Sequence, residues 1–144
     1  MDNVKRVSTI NKLFSLFLFG GIIYYCIEII WRGHSTFSMF VVGGLCFVLI
    51  GAINNYFPWH LGLVQQALIS CVIVTVIEFI SGLILNVWLG LGVWDYSRLP
   101  FNLMGQICLL YTVLWIPLSV FAIFLDDWLR HWLFGEDRPR YTLF

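Results

Sequence analysis

Residues 63–89 read LVQQALISCVIVTVIEFISGLILNVWL, with one charged side chain, Glu78, in the whole run. A surface helix of a soluble protein keeps a polar stripe, whereas this stretch is apolar all round. At about 1.5 Å per residue it exceeds the roughly 20 residues needed to cross a bilayer's hydrocarbon core. The segment reads as a membrane span, and Glu78, near its middle, becomes the residue to explain. Ionisable groups at that depth are costly and are by default candidates for function.

The rest of the chain agrees. Of its 144 residues, 60% are apolar, 18% aromatic and 11% charged, against about 25% charged in ordinary soluble domains. Such a chain is an integral membrane protein with no room for a sizeable soluble domain. Eight acids balance eight bases, which argues against nucleic acid as a partner. Further apolar blocks lie at residues 13–31, 37–53 and 103–125. Together with 63–89 they predict an all-α fold: an antiparallel four-helix membrane bundle over residues 13–125, with a short N-terminal tail, 1–12, and an interfacial amphipathic segment, 126–144. Turn residues separate the blocks at 33–36, 54–58 and 90–100. The first block is longer than the apolar part of a signal peptide and no small-x-small site follows it, so a retained helix is expected.

Lysine and arginine concentrate on the cytoplasmic side of short loops. Lys5, Arg6 and Lys12 precede the first span and Arg130, Arg138 and Arg140 follow the last, leaving Arg32 and Arg98 for the opposite face. Both termini are expected in the cytoplasm and the loop around Asp95 outside. Tryptophans are consistent with this, with Trp31, Trp88 and Trp94 at the outer boundary and Trp59, Trp128 and Trp132 at the inner one. Trp115 falls mid-span and should pack between helices.

Depth then sorts the polar residues. Glu28 precedes Arg32 by four positions, so the two share a helix face and are expected to pair. Glu78 has no basic residue near it in sequence, and Asn86, eight positions later, returns to roughly the same face. Asp95 and Arg98 follow in the outer loop, with Asn102 and Gln106 at the start of the last span. Convergence of Glu28, Arg32, Glu78, Asn86, Asp95, Arg98 and Gln106 would make a polar, ligand-binding pocket open to the outer leaflet. The structural alternative is that Glu28–Arg32 and Asp95–Arg98 fix helix ends while Asn86 and Gln106 bond neighbouring helices.

Other chemistry is thin. Cys26, Cys46, Cys71 and Cys108 show no CxxC spacing and read as apolar packers. The three histidines are dispersed and no nucleotide, hydrolase or metalloprotease motif occurs, so no metal and no cofactor is expected and no catalytic residue can be assigned. Gly44 and Gly51 suggest close helix packing, and Pro117 suggests a kink. Ile27-Glu28-Ile29-Ile30 echoes Ile77-Glu78-Phe79-Ile80, and Gly43-Gly44-Leu45-Cys46 echoes Gly105-Gln106-Ile107-Cys108. The echo would fit a two-hairpin parallel repeat. Phe124–Glu136 mixes apolar anchors with charges at helical spacing, which fits an anchor on the inner surface or a docking surface for a cytoplasmic partner through Asp126, Asp127 and Arg130.

The stretches IEIIWRG, SMFVVGGLCFVLIGAINN, EFISGLILNVWLGLGVWDYS, NLMGQICL and LDDWLRHWLFGE together resemble the small bacterial membrane proteins of the type IV ABC-transporter permease family, from about Phe19 to the C-terminus. The resemblance implies a multi-pass protein of the bacterial cytoplasmic membrane and a role in transport. Four spans are few for a permease, so it further implies a homo-oligomer or a second membrane subunit, with a separate cytoplasmic ATPase. The residues themselves leave two other classes open. One is a membrane-embedded enzyme acting on a lipid-linked substrate, with Glu78 or Asp95 as general base and Arg32 or Arg98 holding an anion. The other is a structural or regulatory subunit.

Overall fold

The computed structural model describes residues 2–56, 62–136 and 138–143, with side chains for 9–53, 62–136 and 138–143. The elements follow in order α1 (Asp2–Arg32), α2 (Phe37–Tyr56), α3 (Leu63–Gly82) continuing into a π-helical turn (Leu83–Trp88), β1 (Asn102–Leu103), β2 (Ile107–Cys108) and α4 (Leu109–Phe134). The fold is all-helical apart from that small antiparallel hairpin, in which Asn102 pairs with Cys108 and Leu103 with Ile107. Among the described residues, three segments are long and apolar enough to cross a membrane: Thr9–Arg32, Leu63–Trp88 and Leu109–Phe134. The apolar part of α2, Phe37–Ile53, is shorter.

Glycines set the packing of α1 on α2. A Cβ on Gly44 would fall 2.6 Å from the Phe17 carbonyl oxygen, and one on Gly21 would fall 2.7 Å from the Phe40 carbonyl oxygen. Gly20 and Gly43 receive the side chains of Phe47 and Tyr24 in the same way. The two helices therefore exchange aromatic side chains for bare backbone, and main chains approach as only small residues allow. Gly51 meets a different partner, the Asp126 carboxylate of α4. Packing around Ile50, Ala67, Val74 and Ile123 joins α2, α3 and α4, and a second cluster of Met39, Val93 and Trp94 lies under the connection from α3 to α4.

The C-terminal tail returns across the bundle to the start of α3. The Leu63 and Val64 N–H groups donate to the carbonyls of Thr142 and Leu143 at 2.7 and 3.1 Å, and the Gly62 N–H donates to the Gln65 side chain at 3.0 Å. Helix starts leave such N–H groups without intrahelical partners, and here the tail supplies them. At the other end, Gly135 terminates α4 at φ 67°, the left-handed conformation that glycine adopts most easily.

Several sequence expectations change. Residues 103–108 form the hairpin and its turn, so α4 starts at Leu109 and not at 103. It also runs unbroken past 125 to Phe134, so residues 126–134 are its last turns and not a separate interfacial helix. Asn54, Asn55 and Tyr56 belong to α2; the remainder of that expected turn and Trp59 lie outside the described residues, as do the Lys5 and Arg6 side chains. Trp94 is buried rather than set in an interfacial belt, whereas Trp31, Trp88 and Trp132 are exposed. The second half of the internal echo, Gly105 to Cys108, is turn and strand where its counterpart is helix, which removes the structural basis for a repeat.

Candidate functional site

Five of the sequence-predicted polar residues, Glu28, Arg32, Glu78, Asn86 and Gln106, lie toward one end of the bundle in two groups at different depths. The upper group begins with the expected pair: Arg32 donates through one guanidinium nitrogen to Glu28 Oε1 at 2.6 Å and through the other to the Val93 carbonyl at 2.6 Å. Glu28 is buried and Arg32 half-buried. The Val93 N–H donates to Asn86 Oδ1 at 2.7 Å, and Asn86 Nδ2 donates to Gln106 Oε1 at 2.9 Å. Gln106 in turn donates to the Met104 carbonyl and accepts at its own carbonyl from Trp94 Nε1, both at 3.0 Å. One chain of hydrogen bonds thus ties α1, the π-turn, the connection from α3 to α4 and its hairpin together.

The π-turn matters to this arrangement because it holds Asn86, and such turns occur often at functional sites. Gly82, at the end of α3, lies against the Gln106 side chain, where a Cβ would collide with its Oε1. Close approach there is what lets Gln106 reach Asn86.

Glu78 forms the lower group. It is 7% exposed, and each carboxylate oxygen accepts one hydrogen bond: Tyr96 O–H on Oε1 and Trp115 Nε1 on Oε2, both at 2.9 Å. Tyr96 comes from the connection between α3 and α4 and stacks on Tyr111 of α4 with centroids 4.7 Å apart. Burial, then the neighbouring Glu78 carboxylate, pushes the Tyr96 hydroxyl well above the usual tyrosine range. It therefore stays a neutral donor at any physiological pH. Tyr24 of α1 lies in electrostatic range of both Glu28 and Glu78, and its ring approaches Trp115 at 6.3 Å. The two groups are neighbours, but among the described residues no hydrogen bond joins Asn86 to Glu78, although their spacing suggests one helix face.

Asp95 and Arg98 stand apart. Both are exposed and form no ion pair with each other among the described residues. Asp95 accepts the Ser97 N–H at 2.9 Å, and that bond holds its carboxyl below the usual carboxylate range. It is an ionised turn cap, a weak general base near neutral pH.

Asp126, Asp127 and Arg130 gather at the opposite end. They are 0%, 8% and 5% exposed, so their side chains face the bundle and not a docking surface. Arg130 donates to Asp126 Oδ2 at 3.0 Å and approaches Glu136, which also accepts from Lys12 at 2.8 Å. Burial, then the charge of Asp127, pushes the Tyr141 hydroxyl above its usual range as the tail packs over them.

Sequence reasoning missed Tyr96 and Trp115 as partners of Glu78. A signal existed for one of them: a buried tryptophan N–H needs an acceptor, and Glu78 offers one at mid-span. Tyr96 gave none, since its reach depends on how the connection folds back into the bundle.

Residues 13–135 match the family described as "Putative ABC-transporter type IV". No solved structure matches the chain.

Proposed function

The chain belongs to the type IV ABC-transporter family, and from that premise we propose that it is a permease-like component of the bacterial cytoplasmic membrane whose outer polar cluster binds a small polar solute or a lipid headgroup. Glu78 carries the reading. It is a buried acid that, among the described residues, has no basic partner at hydrogen-bonding distance and draws one donor from the connection and one from α4. Stability alone gives little reason for such a group, because apolar side chains of similar volume serve as well or better in a core. A ligand bearing a hydroxyl or ammonium group takes the place of the Tyr96 donor on Oε1. The connection would then be released from α4, and Arg32 would meet an anionic part of the same ligand.

The chain is a membrane transport-related component. Four helices enclose too little space for a path of their own, so the working unit is a homo-oligomer or includes a second membrane subunit. Energy would come from a separate cytoplasmic ATPase.

Glu78→Gln tests the role of the acid. The amide oxygen keeps the Trp115 bond, and the amide nitrogen donates to the Tyr96 hydroxyl, which can accept as well as donate. The variant is expected to insert, express and melt like the parent, yet fail to restore growth or transport to a strain lacking the gene. Full restoration overturns the reading, and so does melting far below the parent, which would make Glu78 a packing group.

A further inference from the structure

We propose that the connection from Leu89 to Cys108 is seated in the lipid boundary, with the hairpin around Leu103 and Met104 immersed among acyl chains. This stands apart from ligand binding and holds for either leaflet.

The connection is built inside out for a loop in water. Around the hairpin its polar side chains point inward: Gln106 bonds Asn86 of the π-turn, and Asn102 Nδ2 donates to the Leu99 carbonyl while its Oδ1 accepts from the Gly105 N–H. Its apolar side chains point outward, with Phe101 80%, Met104 62%, Leu91 59% and Leu103 52% exposed. Phe101 and Met104 do this at φ 55°, a strained conformation that large L-residues rarely adopt. Strain that turns apolar side chains toward the surroundings makes sense where those surroundings are apolar.

Backbone hydrogen bonding points the same way. Lipid offers no partner for a bare N–H or carbonyl, so irregular backbone at membrane depth has to be satisfied from within the protein. Along this segment the N–H groups of Leu89, Leu91, Tyr96, Leu99, Gln106 and Leu109 all donate to carbonyls of the same region, and Val93 and Gly105 donate to Asn side chains. A loop bathed in water has no need of that.

Height completes the argument. Trp115 and Glu78 are at one level because they bond. At about 1.5 Å per residue, Leu109 begins α4 roughly 9 Å above that level and Trp88 ends the π-turn roughly 15 Å above it. The hairpin therefore sits beside the last turns of the α3 span, continuous with the exposed Trp88 and Trp31. Those two mark an interfacial aromatic belt. Asp95, Ser97 and Arg98, also exposed, form the opposite edge of the connection and meet the headgroups.

The test places an NBD fluorophore on the full chain, free of native cysteines, at Leu103→Cys, Met104→Cys and, for comparison, Arg98→Cys. The protein is reconstituted at low density into phosphatidylethanolamine and phosphatidylglycerol vesicles. Nitroxide-labelled lipid should quench positions 103 and 104 strongly and iodide should quench them weakly, with the reverse at 98. Leu103→Cys guards against a fold disturbed by replacing a strained residue. Iodide quenching at 103 and 104 as strong as at 98 overturns the proposal in favour of a loop in water. Protection of 103 and 104 from both quenchers overturns it in favour of a second copy or another subunit covering the hairpin.

Discussion

Glu28 and Arg32 show how this protein accommodates charge near the membrane surface. Their side chains meet at 2.6 Å, and the guanidinium also holds the Val93 carbonyl, so Arg32 satisfies two acceptors. The second Glu28 oxygen is buried and has no hydrogen-bond partner among the described residues. Losing the arginine leaves a 5% exposed carboxylate without compensation, for which a cost of about 3 kcal/mol is expected. Arg32→Gln should therefore lower the melting temperature in detergent more than Glu28→Gln, which leaves a half-exposed guanidinium and costs about 1 kcal/mol. The double variant should lose less than the two single losses together. Purely additive losses would show that the two side chains are energetically independent.

Among the elements, the α1–α2 hairpin rests on backbone contact. Gly44 has the Phe17 carbonyl where a methyl group would go, and a carbonyl inside a helix cannot swing aside as a side-chain tip can. Gly44→Ala is expected to destabilise by about 1–3 kcal/mol, while alanine at Gly90, which has nothing within 4 Å, disturbs only its positive φ. Equal melting of Gly44→Ala and the parent would show that the helices slide apart at little cost. The long helices were legible in the sequence because apolar length alone identifies them. Their ends were not. Leu103 to Leu110 is as apolar as a span, and the features that break it are the backbone turns at Phe101, Met104 and Gly105. In the opposite sense, Asp126, Asp127 and Arg130 looked like an exit from the membrane because their charges are plain in sequence, whereas their burial against α2 and the tail is tertiary. The Glu28–Arg32 pair was readable from its spacing. The Glu78 site was readable as an isolated acid but not as a three-way junction.

Over the whole molecule, α2 links the two ends of the bundle. Met39 packs with Val93 and Trp94 beside the outer connection, and Gly51 lies against Asp126 near the end of α4. Although its apolar part is short, we read α2 as a crossing, which gives four crossings and puts both termini on one side. The basic residues would assign that side to the cytoplasm, and the proposed function then has the polar cluster at Glu28, Asn86 and Gln106 open outward. The most direct measurement is labelling of Ser97→Cys, an exposed position beside that cluster, in a chain whose four native cysteines have been replaced. An impermeant thiol reagent should modify it in intact cells, and modification only after lysis would contradict the account by placing the cluster in the cytoplasm.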